Sequence, residues 1–357
     1  MNRRTFLKSS AVAASAGPLF LGTTARAANA TPVVGVDGHK YECNHNWGEL
    51  PQDYEWQTTH NVAIDSQGLV YITHQGVGKK MDTVLVFDGH GKFVRSFGKE
   101  FHGGGHGIEI RKDGSDEFCY LSNTWTPELK LMKTTLKGEM VWKKGRPECK
   151  EYEDKKRNYN PTNICFTPDG GFVVGDGYGS SYMLNYDKDG NLKNVYGGPG
   201  KGLGQLATPH GNWYDDRNKN HPMIVVCDRA NHRLQTFTTE GKAISATEPD
   251  KVVFFPAHAK TRGEVLLVAD LHCRVSLFDK NNKPIVHLGE QTPEDTEWRK
   301  KVTGPVKAGE KAIRVQPKEW TAGRFVHPHD AAFDAAGNIF VVEWVSTGRV
   351  TMLKKVG

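Results

Sequence analysis

Short apolar runs alternating with polar positions recur along the chain from about residue 58 to its end, separated by Gly-containing turns. Alternation at period two between such turns predicts half-buried antiparallel strands. Self-comparison reduces the runs to one unit. It has a polar residue, an apolar strand, Asp-x-x-Gly or a relative, then a second apolar strand ending in a polar residue. Copies begin at His60, His106, Thr162, His210, His258 and His329. A third strand follows each copy, and a fourth follows the first five, as in Lys92–Gly98 and Leu192–Gly198. A four-stranded unit repeated six times is the signature of an all-β, six-bladed β-propeller.

The sixth copy ends at Gly357 without a fourth strand. The segment Lys40–Gly48 resembles Lys92–Gly98 and belongs to no blade where it stands. It is therefore expected to supply the missing outer strand, over about residues 39–48, and to close the ring. An open ring would leave a strand edge unpaired. Residues 291–324 fit no blade; they are charged, contain Pro and Gly, and read as a surface insertion between blades five and six.

Composition changes the picture at the N-terminus. The chain of 357 residues carries a formal charge of +6. Arg3, Arg4, Lys8 and Arg26 fall within residues 1–30, which hold no acid, leaving 43 basic against 41 acidic side chains beyond them. That balance has no basic stripe of the kind nucleic acid requires. Asn2-Arg3-Arg4-Thr5-Phe6-Leu7-Lys8, a run of small and apolar residues, and the small-x-small sites Ala25-Arg26-Ala27 and Ala28-Asn29-Ala30 read as a twin-arginine signal peptide over 1–30. The expected destination is the periplasm or the exterior, and the expected partner of this segment is the twin-arginine export machinery. The apolar stretch is too short for a membrane span. The propeller is then a single domain over 31–357. Six cysteines (Cys43, Cys119, Cys149, Cys165, Cys227, Cys273) form no C-x-x-C pair, which leaves a zinc ribbon unsupported and one disulfide open.

The candidate chemistry lies at the first position of the repeat. Five of six copies place a His there, in a chain with 15. The innermost strand of a blade runs along the central channel, so equivalent positions form a ring. His106, His210 and His329 lie on alternate blades, and three converging imidazoles with an open fourth position are a catalytic zinc pattern. A lone His would more simply cap its strand. A second ring, His74, Asn123, Asp176, Asp228, Asp270 and Glu343, ends the second strands and reads as turn stabilisation, or as a proton acceptor for a ligating His.

Several strings carry a resemblance: Gly103-Gly104-Gly105-His106-Gly107, Asp176-Gly177-Tyr178-Gly179, Thr208-Pro209-His210-Gly211, Cys227-Asp228-Arg229-Ala230-Asn231 and His327-Pro328-His329-Asp330. With the surrounding repeats they resemble the catalytic core of peptidylglycine α-amidating lyase and related bacterial NHL-repeat propellers. The resemblance implies zinc held by His106, His210 and His329. It makes Tyr178 the candidate base or alkoxide stabiliser, Arg229 the substrate-facing arginine, and Asp330 a ligand of a structural calcium. The channel residues His60, His258, His327 and Gln75 would be second-tier, with His60 and His258 farther from the ion than the trio.

Two departures stand out. Where the family has His-Arg-Gly this chain reads His74-Gln75-Gly76, and His327 replaces a methionine. Gln75 cannot form a charged bidentate pair with a carboxylate, so the substrate is expected to differ. The activity implied is cleavage of an α-hydroxyglycine-like or related carbinol, with a small molecule or peptide bound at the channel mouth. The alternative is a non-enzymatic propeller that binds a protein, glycan or metal through the channel face. A calcium-dependent lactonase ranks lower, because the channel is His-rich rather than lined by carboxylate and Asn.

Overall fold

The computed structural model describes residues 31–77 and 81–357. The expected signal peptide, residues 1–30, lies outside them. Six antiparallel sheets form the described chain. Blades one to five span 59–97, 105–144, 163–197, 209–246 and 256–288, each with four strands in chain order from the channel outward. The innermost strands touch in sequence around a closed ring, the last (Pro328–Phe333) against the first (Thr59–Ile64).

Blade six closes the ring. His39–Asn44 pairs antiparallel with the last strand, Val350–Lys355, with Cys43 opposite Leu353. The expected closing strand is present, but it is not the outer one. Val33–Val36 pairs outside it and gives this blade a fifth strand. Residues 45–48 leave the sheet, and Trp47 packs inward between Phe87 and Phe340.

Period-two alternation explains how the core is distributed. Ile72 points into the cluster shared by blades six and one, while its neighbour Tyr71 points into that shared by blades one and two. Val226 and Cys227 divide in the same way between blades three and four and blades four and five. One apolar cluster fills each of the six blade junctions. Each fully buried Leu or Phe there contributes about 1.5–3 kcal/mol. The Asp-x-x-Gly turns are held locally. Asp65 Oδ1 accepts from the Gln67 and Leu69 amides, both at 2.9 Å, and Gly68 takes the left-handed φ of 80°. All six cysteines are unpaired, and five are buried in the blades.

The insertion is more than a solvated loop. Thr292 caps the helix Pro293–Thr303 through a reciprocal capping box with Asp295, and Pro293 opens it. Trp298 and Val302 on that helix bury against Cys273, Ile313, Val326 and Val345. The Trp298 indole N–H donates to Phe325 O at 2.6 Å. Among the described residues no helix is long and apolar enough to cross a membrane.

Candidate metal centre

A break in strand register builds the site. On five of the six innermost strands the ladder skips, between residues 59 and 62, 105 and 108, 209 and 212, 256 and 258, and 328 and 330. Four of the skipped segments contain His60, His106, His210 and His329. A bulge re-aims the side chain it carries, and here each imidazole turns into the channel. His106, His210 and His329 are buried, and one ring nitrogen from each lies within 4.8 Å of the others. Their ring centroids stand 4.6–5.0 Å apart.

The outer nitrogens are fixed by the neighbouring blade. Nδ1 of His106 donates to Thr162 O at 2.8 Å, Nδ1 of His210 to Ala257 O at 2.8 Å, and Nδ1 of His329 to His60 O at 2.6 Å. A carbonyl can only accept, so the proton sits on Nδ1 and the Nε2 lone pair faces inward. Nε2 of His329 is buried with no partner. All three imidazoles are held well below the ordinary histidine range, first by burial and then by neighbouring positive groups. Neutral, oriented imidazoles with inward lone pairs form a donor set that could hold a metal ion.

The same bonds correct the repeat alignment. Thr162, Ala257 and His60 occupy equivalent acceptor positions, so in blade five the first position is Ala257 and not His258. His258 pairs with Ala269 beyond the bulge. It drops to the level of Asp330, with Nδ1 at 2.9 Å from Oδ1. The ring at the trio's level therefore holds four histidines. His60 is the fourth, 4.9 Å from the His106 ring and 5.1 Å from that of His329, outside the set of converging nitrogens.

Tyr178 enters from the loop above. Its hydroxyl lies 2.9 Å from Nε2 of His210, 3.4 Å from Nε2 of His106 and 3.4 Å from Nη1 of Arg229. Asp176 holds that loop, accepting from the Asn160 and Ser180 amides and from the Tyr152 hydroxyl. Asp228, Asp270 and Glu343 tie down loops in the same manner, at Ala207, Phe255 and Val326. The second ring thus stabilises turns, and the protons of the trio go to backbone carbonyls instead.

Above the trio opens a cavity of about 460 Å³ lined by Tyr178, Arg229, Phe255, Leu271, His272, Val302, Thr303, His327, His329 and Trp344. The Arg229 guanidinium sits 5.2 Å from the Tyr178 and Phe255 ring centres, and its Nε is buried without a partner. His327 donates from Nδ1 to Leu271 O at 2.7 Å and forms part of the wall. Gln75 is not among the lining residues; its backbone N–H donates to Thr58 O. Val302 and Thr303 come from the insertion. Neither they nor Phe255, His272 and Trp344 stood out in the sequence, since nothing in their spacing marks a cavity wall.

Asp330 forms, with Glu109 and His258, a second buried group whose ligand atoms lie within 4.8 Å of one another and could hold a metal. The buried Lys260 ammonium lies 3.1 Å from its Oδ2, where a cation would bind, and 2.9 Å from Glu109 Oε1. Burial works to raise the Asp330 carboxyl, but His258 and Lys260 outweigh it and hold it at about 2. Glu109 and Lys260 were missed by reading only the first position of each repeat. Charged residues inside inner, otherwise apolar strands were the available signal.

No protein-family model matches the sequence, and neither does any curated protein. Solved structures share the fold. An inactive variant of virginiamycin B lyase from Staphylococcus aureus with quinupristin has 14% identity and a TM-score of 0.56, over 88% of this chain and 100% of that one. A gluconolactonase from Xanthomonas campestris has 12% identity and a TM-score of 0.57, over 91% and 98%. A luciferin-regenerating enzyme has 12% identity and a TM-score of 0.52, over 85% and 93%. At such identities the likeness shows the fold alone.

Proposed function

We propose that this chain is an exported, periplasmic metal-dependent lyase acting on an α-hydroxyglycine-like or related carbinol substrate. The observation that carries this reading is the inward convergence of three Nε2 atoms, with the Tyr178 hydroxyl at their edge and the Arg229 guanidinium, whose Nε has no partner, on the same cavity. When bound, a zinc or similar ion supplies Lewis acidity that lowers the pKa of a substrate hydroxyl. His106, His210 and His329 would hold it. Tyr178 would take the hydroxyl proton as the carbon–nitrogen bond breaks and return it to the departing nitrogen. Arg229 would bind the carboxylate that becomes glyoxylate, with the aromatic faces of Tyr178 and Phe255 holding its plane. Phe255, Trp344 and the insertion residues would exclude water around it.

Arg229 is the one Arg or Lys lining the cavity among the described residues. The reading therefore favours a substrate with a single carboxylate next to an apolar group. The test is metal analysis of the purified protein followed by glyoxylate release from an N-acyl-α-hydroxyglycine, before and after chelation. One transition metal per chain with chelator-sensitive release supports the lyase. A bound metal without turnover on any carbinol amide replaces it with a ligand-binding propeller.

A further inference from the structure

Two carboxylates lie on the channel axis in a fully protein-lined interior, one level below the histidine trio. Asp330 and Glu109 are buried, on blades six and two. Two uncompensated carboxylates in such a place would be strongly unfavourable. The compensating charge comes from blade five. Lys260 Nζ donates to Val62 O at 2.7 Å, and lies 2.9 Å from Glu109 Oε1 and 3.1 Å from Asp330 Oδ2. Val62 O and Asp330 Oδ2 accept its hydrogen bonds and Glu109 Oε1 faces it as an ion pair, so two carboxylate oxygens and one backbone carbonyl from three different blades surround it. That is an oxygen-only donor set of the kind that holds a hard divalent cation. His258 stands beside it, with Nδ1 at 2.9 Å from Asp330 and Nε2 at 3.9 Å from Glu109.

We propose that Lys260 is a built-in cation: its ammonium fills an oxygen cage on the channel axis that would otherwise take a divalent ion such as calcium. The chain then carries one metal ion, at the trio, and none at this second level. The ammonium ties blades one, two, five and six together at their innermost strands. Because it is covalently part of blade five, the tie is independent of the ion supply outside the cell. Lysine has the reach for this role, and the compact charge at its tip has three donors to match three oxygens.

The experiment follows thermal unfolding of the full chain with zinc present, in calcium-depleted buffer and with added Ca²⁺, alongside elemental analysis. The wild type should hold no stoichiometric calcium and melt at the same temperature in both buffers. Lys260→Ala should melt lower in the depleted buffer, by on the order of 5 °C or more, and recover with Ca²⁺. Lys260→Met, which keeps the stem volume, should melt lower and not recover. Stoichiometric calcium in the wild type, an unchanged melting temperature in Lys260→Ala, or a loss that Ca²⁺ does not restore would each overturn the proposal. Should Lys260→Ala not fold, Glu109→Gln combined with Lys260→Met decides. It should be more stable than Lys260→Met alone, and a less stable double variant overturns the proposal.

Discussion

The Tyr178 hydroxyl donates to Nε2 of His210 at 2.9 Å and lies 3.4 Å from Nε2 of His106. Tyr178 and His210 reach this contact from different blades by different routes. His210 is turned inward by a bulge at the start of blade four, and Tyr178 is carried in by the Asp176 loop of blade three. The pair therefore separates two functions that mutation can tell apart.

Replacing His106, His210 or His329 singly with Ala should reduce metal affinity by at least about 10–100-fold, the range seen even for groups that only support a ligand. Each loss removes one of three donors and leaves its carbonyl partner on the next blade unmatched. Equilibrium dialysis against zinc reads the effect. Full occupancy in any one variant would remove that histidine from the donor set.

Tyr178→Phe should leave metal affinity unchanged and lower kcat by about 10²–10⁴, the range for a positioned acid–base group. The ring and its packing on Arg229 stay, and only the hydroxyl goes. Loss of metal in this variant would make Tyr178 a ligand.

Arg229→Lys should behave almost as poorly as Arg229→Ala toward a carboxylate substrate, with KM raised and metal content intact. The guanidinium lies against the Tyr178 and Phe255 rings, and a lysine ammonium has neither the plane nor the fork to use that place. Equal activity of the lysine variant would show that only the charge matters.

Much of this was legible in the sequence, and the failures have physical causes. The six repeats could be counted because every blade spends the same alternating pattern on two apolar junctions, as Tyr71 and Ile72 do. The trio could be chosen because a histidine at the head of an inner strand recurs. His258 was placed one residue too high because a bulge has no residue signature of its own. Ala257, which takes the extra position, resembles any small strand residue. Lys260 and Glu109 were overlooked for a related reason, since their partners are brought together only by ring closure, 151 positions apart in the chain. The strand Val33–Val36 is too short to register against its neighbours in sequence.

Ring closure itself is open to test at Tyr41. Its side chain is 1% exposed and packs in the cluster that joins blades five and six, with Leu288, Leu353 and Phe325. The strand that carries it is held by Val350–Lys355 on one side and Val33–Val36 on the other. Tyr41→Ala should therefore cost about 3–5 kcal/mol, as for other large aromatic truncations in a core. The loss should act through blade six, whose innermost strand bears His329. Metal affinity should fall with it, although Tyr41 is on the outer side of the blade from the trio. Urea unfolding followed by zinc titration measures both. A destabilised protein with unaltered zinc affinity would show that the inner strands hold the trio in place without the closing strand, and a stability loss under 1 kcal/mol would show that Tyr41 does not help close the ring.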